Sequence, residues 1–268
     1  MSSLNCPICK KSETYLRFKY KKKPEGETQF NLNYKKYYRE FHECKICRHM
    51  VAKIKFKINE IYEGQYTEAT YGKKLEKIFK KIINLPYLES DNEQRFKYVK
   101  NYKQKIFGKT KNFNMLDVGS GLGVFPWRVL NEGWDITALD PDKINIEHIK
   151  KNIGIKTIKK DFIKLANHKK YNIITINKVL EHLLNPQEIL IKAKNFLKKR
   201  GFIYLEVPDV RAKINGKNSE EFFIEHYHVF SEKSLKILTC NSRLVLKKIK
   251  RLREPSGKFT IRAILENN

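Results

Sequence analysis

Hydrophobic residues recur with two different periods along this chain. From residue 113 onward, short apolar runs alternate with stretches of helical spacing, which predicts strands at 114–118, 135–140, 156–160, 171–177, 201–207, 244–251 and 259–266. Helices are predicted between them at 122–132, 142–152, 187–199 and 231–241, with Ser231 placed to cap the last. Such alternation produces a mostly parallel sheet with helices on both faces, so the fold class is α/β, doubly wound and Rossmann-like. The last two strands, joined through Pro255-Ser-Gly257, are expected to pair as an antiparallel hairpin.

The first 110 residues read differently. Leu75, Ile78, Phe79, Ile82 and Ile83 form one apolar helical stripe, and Phe96, Val99, Tyr102 and Ile106 form a second, with Pro86 and Glu89-Ser-Asp-Asn92 between them. Upstream, Tyr62, Tyr66 and Tyr71 are candidates for an aromatic lid or for core packing. Earlier still lie short β-rich runs, Thr14–Phe18 and Tyr34–Tyr38, with Pro24-Glu-Gly26 as a turn. Three segments are therefore expected: a small ribbon at 1–58, a helical connector or lid at 59–110, and an α/β domain at 111–268.

No run of about 18 uninterrupted apolar residues is present, and Met1-Ser-Ser-Leu-Asn5 lacks the apolar centre of a secretory signal. A cytoplasmic protein without a membrane span is the expectation. The formal charge of +27 invites a polyanionic partner, but it is spread evenly: residues 1–110 carry 26 basic and 12 acidic side chains, and residues 111–268 carry 30 and 17. Solvated lysine faces account for it more simply than a dedicated nucleic-acid surface.

Four of the five cysteines form two pairs, Cys6-Pro-Ile-Cys9 and Cys44-Lys-Ile-Cys47. Two such knuckles suit a tetrahedral zinc ion, and four sulfurs leave no open position, so a structural Zn2+ held by Cys6, Cys9, Cys44 and Cys47 is expected. His42 and His49 flank the second knuckle and are read as surface residues that could substitute as ligands. Cys240, inside a predicted helix, is expected to be a buried small apolar residue.

The strand at 114–118 runs into Gly119-Ser-Gly-Leu-Gly123, where three alternating glycines admit a ligand close to the backbone. Asp140, twenty-one residues after Gly119, ends the next apolar run, where such folds place an acid that holds ribose hydroxyls. A dinucleotide fingerprint would need a glycine at the position of Val124, and a phosphate-cradling G-x-x-x-x-G-K-[ST] loop is absent. The string Leu116-Asp-Val-Gly-Ser-Gly-Leu-Gly123 resembles motif I of class I S-adenosylmethionine (SAM) methyltransferases, a resemblance that spans 111–268. It implies the seven-stranded sheet of that family and a SAM site. Asp117, Gly119, Gly121 and Gly123 would face the methionine part, Asp140 the ribose and Asp161 the adenine, with the backbone near Asn177 also facing SAM.

Two clusters could serve catalysis at the carboxyl ends of the strands. Val179-Leu-Glu-His182 resembles the segment after the fourth strand of many small-molecule methyltransferases; His182 could accept a proton or simply hold the loop by a hydrogen bond. Glu225-His-Tyr-His228 concentrates three titratable side chains in four residues, for chemistry or for loop packing. There the chain is similar to zinc-bearing sugar C-methyltransferases acting on nucleotide-linked deoxysugars, although their large C-terminal domain has no counterpart in it. That resemblance implies Glu225 and His226 at the substrate, with His228 and His182 nearby. The expected acceptor is thus a small molecule: a sugar, a nucleotide-linked sugar or a cell-envelope precursor. An RNA methyltransferase gripping phosphates with the ribbon and lysines is the alternative. It is less favoured, because Asn177-Lys-Val-Leu stands where base-amine methylases often carry Asn-Pro-Pro-Tyr.

Overall fold

The computed structural model describes residues 4–11, 13–30, 37–54, 66–110, 112–166 and 169–268. Its centre is a seven-stranded sheet built from β4 (Asn114–Val118), β5 (Asp135–Asp140), β6 (Lys156–Lys159), β7 (Tyr171–Asn177), β8 (Leu197–Pro208), β10 (Leu244–Arg253) and β11 (Phe259–Asn267). The strand order is β10-β11-β8-β7-β4-β5-β6. β4 to β8 run parallel, while β11 is antiparallel to both β8 and β10, as the predicted terminal hairpin requires.

Successive residues on the central strands feed two cores, as a period of two demands. Leu116, Ile174, Ile203 and Leu205 pack on one face with α6 (Pro186–Phe196) and α7 (Glu232–Asn241). Met115, Ile173, Phe202 and Tyr204 pack on the other with α3 (Asp91–Phe107) and α4 (Val124–Asn131). Helix starts are set by side-chain caps: Ser90 accepts from the Glu93 amide, Asp142 caps α5 (Lys143–Asn152), and Ser231 forms a reciprocal capping box with Ser234. α6 stops at Phe196, three residues earlier than predicted, because Leu197 already pairs with Tyr171.

The connector holds α1 (Tyr66–Tyr71) and α2 (Leu75–Ile83) before α3. Phe79 of the first predicted stripe is buried edge-on against His148, and Phe96, Val99 and Tyr102 of the second are buried under the sheet. Tyr62 lies outside the described residues, as do Tyr34 and the other residues of its run up to 36.

The N-terminal module is a four-stranded antiparallel sheet of order β1-β2-β3-β9, from β1 (Thr14–Tyr20), β2 (Arg39–Cys44), β3 (Met50–Ile54) and β9 (His228–Val229). Its second strand lies at 39–44, after the predicted 34–38 run, because Arg39 and Glu43 are inward-facing strand residues whose charges are paired. Arg39 is fully buried. Its guanidinium lies 3.8 Å over the Tyr20 ring, pairs with Glu27 at 2.7 Å and donates to the Phe222 carbonyl. β9 comes from the C-terminal domain, so the ribbon and that domain share one sheet. No helix among the described residues is long and apolar enough to cross a membrane.

Candidate active site

The glycine loop leaves β4 and is pinned to the end of β5. The amides of Gly119 and Ser120 both donate to the Leu139 carbonyl, at 2.8 and 3.1 Å, and the Ser120 hydroxyl bridges the Asp117 carbonyl and the Leu139 amide. All three glycines have positive φ, but what surrounds them differs. A Cβ on Gly119 would lie 2.5 Å from Val179, and one on Gly123 would lie 2.6 Å from Ile153 and 2.8 Å from Ile149, so these two are required by packing. A Cβ on Gly121, with φ +51°, would meet nothing within 4 Å. The open side of the loop is therefore at Gly121, where the fold leaves room for a ligand against the backbone.

Asp140 ends β5 beside that opening. Its carboxylate accepts from the amides of Gly121 (2.8 Å) and Asp142 (2.9 Å) and from the Asn145 side chain (3.1 Å), which leaves it acceptor capacity for a ligand hydroxyl. Burial raises its pKa despite these donors. Tyr71, one of the lid candidates, is close enough to Glu220 and Asp140 for their charges to add to the upward shift that burial gives its phenol. Asp161 is exposed after β6 and accepts from the Ile163 amide at 2.9 Å. Asp117 is buried beneath the loop, receiving hydrogen bonds from Thr175 (2.6 Å) and Asn177 (3.0 Å), and burial pushes its carboxyl up to about 6. The Asn177 side-chain oxygen is buried with no protein partner. An open backbone at Gly121, a carboxylate with spare capacity at Asp140 and an orphan acceptor at Asn177 fit a nucleoside carrying an amino-acid tail.

The two predicted catalytic clusters meet. Val179, in contact with Gly119, leads into a 3-10 turn at Leu180–His182, and the Tyr227 amide donates to the Glu181 carbonyl at 2.7 Å. The His182 and His226 rings are 4.9 Å apart, edge to face. Each places Nδ1 3.0 Å from a backbone carbonyl, that of Glu225 for His182 and that of Glu221 for His226. A carbonyl can only accept, so each Nδ1 carries a proton. Burial lowers His182 to about 4 and puts His226 well below its usual value. Burial raises Glu225 to about 7 and Glu181 to about 8, so the carboxyls are the groups poised near neutral pH. Glu181, whose place in its motif implies no role by itself, joins the cluster here. The signal was there in the repeated dipeptide, Glu181-His182 and Glu225-His226.

His228 is not brought to this cluster. It lies in β9, where its Nδ1 is 2.9 Å from Nε2 of His49 and its Nε2 is 3.4 Å from the Leu184 carbonyl. His49 itself is fully buried between His228 and Phe230, contrary to the surface placement expected for it, because β9 covers the second knuckle. His42 is partly buried and pairs with Glu40 at 2.8 Å, and it is not part of the cysteine cluster. Cys240 is in a helix as predicted but exposed, since α7 turns that face to solvent.

Cys6, Cys9, Cys44 and Cys47 bring their sulfurs within 4.8 Å of one another, with Cys6–Cys47 at 3.5 Å and Cys9–Cys44 at 3.6 Å. About 3.8 Å is the sulfur–sulfur separation around a tetrahedral ion with bonds of about 2.3 Å, so the donor set fits zinc. Both knuckles end in a non-glycine residue of positive φ, Lys10 at 55° and Arg48 at 60°, whose amides donate to the Cys6 and Cys44 carbonyls. The Ser231 hydroxyl donates to the Cys47 carbonyl, which ties the cysteine centre to α7.

One group escaped sequence reasoning altogether. Lys178, with φ 52°, follows β7 and pairs with Glu254 at 2.6 Å; Arg262 bonds Glu206 and Glu254, each at 3.0 Å, and Arg95 bonds Glu206 from α3. Burial alone would raise Glu206, but Arg95, Lys178 and Arg262 hold it well below the usual carboxylate range. These residues come from α3, β8, β11 and the bends after β7 and β10, which spacing along the chain does not reveal. The network holds the strained bend that starts the Glu181-His182 turn.

A family model described as "Methyltransferase domain" matches residues 91–239. Curated relatives include the ubiquinone biosynthesis O-methyltransferases of Rickettsia bellii (strain OSU 85-389), 26% identical over 115 residues, and of Glaesserella parasuis serovar 5 (strain SH0165), 30% identical over 133. These alignments cover 41% and 46% of this chain and 48% and 55% of the relatives, so the chain spans about half their length. Among solved structures, the plantazolicin methyltransferase BpumL in complex with SAH has a TM-score of 0.57 at 18% identity, covering 79% of this chain and 98% of that one. The glycopeptide N-methyltransferase MtfA has a TM-score of 0.54 at 11% identity, covering 66% and 90%. At such identities the structures establish a shared fold.

Proposed function

We propose, from the premise that this chain belongs to the methyltransferase-domain family, that it transfers a methyl group from SAM to a small-molecule acceptor, a sugar, nucleotide-linked sugar or cell-envelope precursor. SAM, when bound, supplies an electrophilic methyl group on a positively charged sulfur. The chain's own part is alignment and proton removal. Gly121 lets the donor approach the backbone, Asp140 accepts from its ribose, Asp161 stands beside its adenine, and Asn177 receives a polar hydrogen of its tail. The acceptor meets Glu181, His182, Glu225 and His226, whose carboxyls are poised near neutrality to take the leaving proton. The four cysteines hold a structural zinc ion that sets the ribbon against this loop.

The observation that carries the reading is the contact between Gly119 and Val179, which puts the open glycine loop and the Glu-His cluster side by side. The test is S-adenosylhomocysteine (SAH) formation with pools of nucleotide-linked and free sugars, with RNA as the competing substrate. Turnover on the sugar pools is expected. No turnover there, together with robust turnover on RNA, would refute the small-molecule assignment.

A further inference from the structure

The segment that carries Glu225 and His226 hangs from the ribbon by its main chain. The Tyr20 hydroxyl donates to the Lys217 carbonyl at 2.6 Å, and the Ala52 amide donates to the Tyr227 carbonyl at 2.8 Å. Between these points, Arg39 donates to the Phe222 carbonyl and Glu27 accepts from the Ile224 amide at 2.7 Å. We propose, resting on the methyl-transfer reading above, that Glu27 and Arg39 are positioning residues: from the ribbon they set where Glu225 and His226 stand against the Glu181-His182 turn. The ribbon is then a working part of the acceptor site.

The two side chains are buried and act as one unit. Their charges meet at 2.7 Å, and the Tyr37 hydroxyl closes the pair by accepting from Arg39 Nε and donating to Glu27 Oε1, each at 2.6 Å. The pair grips the main chain on either side of Phe223, at the carbonyl of 222 and the amide of 224, one residue before Glu225. From the opposite side the turn holds the same segment: His182 Nδ1 donates to the Glu225 carbonyl at 3.0 Å, and the Glu181 carbonyl accepts from the Tyr227 amide at 2.7 Å. A shift of the pair therefore moves the Glu225 carboxyl and the His226 ring relative to the turn.

A buried ion pair adds little net stability over well-packed apolar side chains, so stability does not explain why one grips this segment. Catalysis is far steeper in geometry: a misplacement of about 1 Å costs on the order of a hundredfold in rate. The pair also acts through its field. Burial raises Glu225, the charges of Glu27 and Glu220 add to that rise, and Arg39 opposes it. Glu220 is itself paired with Lys258 at 2.7 Å, and the remaining titratable groups around this carboxyl are the rings of His182 and His226.

The test uses the full chain purified with zinc. Glu27→Gln keeps an oxygen for the Ile224 amide and removes the negative charge. Arg39→Lys keeps the positive charge, but one ammonium cannot hold Glu27 and the Phe222 carbonyl as the planar fork does. Both should lower kcat for SAH formation on the sugar pools at least about tenfold, with SAH affinity by calorimetry within about twofold of the parent. Carbon-13 NMR of labelled glutamate, with the Glu225 signal identified by its loss in Glu225→Gln, reads the carboxyl without an acceptor. Its midpoint, about 7 in the parent, should fall by at least about half a pH unit in Glu27→Gln and stay within about 0.3 in Arg39→Lys. A pair that only stabilised the fold would leave kcat of a folded variant at the parental value, or on loosening would admit water and lower both midpoints alike; either result overturns the positioning role. Circular dichroism shows which variants fold, and kcat of one folded variant is enough. SAH formation by the parent on none of the sugar pools overturns the proposed function instead, and an unchanged midpoint in Glu27→Gln then still overturns the action of the pair on Glu225.

Discussion

Gly121 and Gly123 have similar backbones and opposite surroundings, and alanine at each should separate cofactor space from packing. Alanine in the left-handed region costs roughly 1–2 kcal/mol, partly offset by about 0.4–1 kcal/mol from a less flexible unfolded chain. At Gly121, where the new methyl meets nothing within 4 Å, that balance of about 1 kcal/mol is the whole effect. At Gly123 the methyl lies 2.6 Å from Ile153 and 2.8 Å from Ile149, and overpacking adds roughly 1–3 kcal/mol. Urea unfolding of the ligand-free proteins should therefore show Gly123→Ala as the less stable by about 1–3 kcal/mol. Calorimetry with SAH should show the reverse order. Gly121→Ala, with a methyl in the space proposed for the ligand, should lose at least about tenfold in affinity, roughly 1.4 kcal/mol, while folded Gly123→Ala binds within a few-fold of the parent. Parental SAH affinity in Gly121→Ala, or equal destabilisation by the two substitutions, would refute the assignment of the open side of the loop.

Two further outcomes follow from the same structure. Removing the proposed zinc ion with a chelator should unfold the ribbon and, because β3 pairs with β9, strip hydrogen-exchange protection from the Ala52 amide and from residues 228 and 229; retained protection at β9 after chelation would contradict that coupling. Asp117, raised from 3.8 to about 6 chiefly by burial, binds its proton more tightly folded than unfolded. Its contribution to stability is therefore complete below about pH 4 and falls by about 3 kcal/mol as pH rises through 6. Asp117→Asn should gain stability relative to the parent across that window in ligand-free urea titrations, and a pH-independent difference would show the buried carboxyl to be unperturbed.

Alternating apolar runs were enough to place every strand of the large sheet to within a few residues, because each central strand must bury both faces and each helix one. The glycine loop and the cysteine knuckles were also legible, since positive φ at Gly121 and a close cluster of four sulfurs are constraints that only a few residue types can meet. What escaped was whatever depends on partners distant in the chain. Arg39 and Glu43 carry charges that hydropathy assigns to solvent, yet Glu27, Phe222 and Lys213 hold them inside β2. His49 reads as exposed until β9 covers it, and Lys178 reads as an ordinary lysine until Glu206, Glu254 and Arg262 surround it. Hydropathy records the preference of one side chain for water, whereas the free energy of a buried charge or imidazole is set by its neighbours. The resemblance places His182 near Glu225-His226, but the contact that joins the two dipeptides, 43 residues apart in Nδ1-to-carbonyl pairing, is set by the tertiary structure.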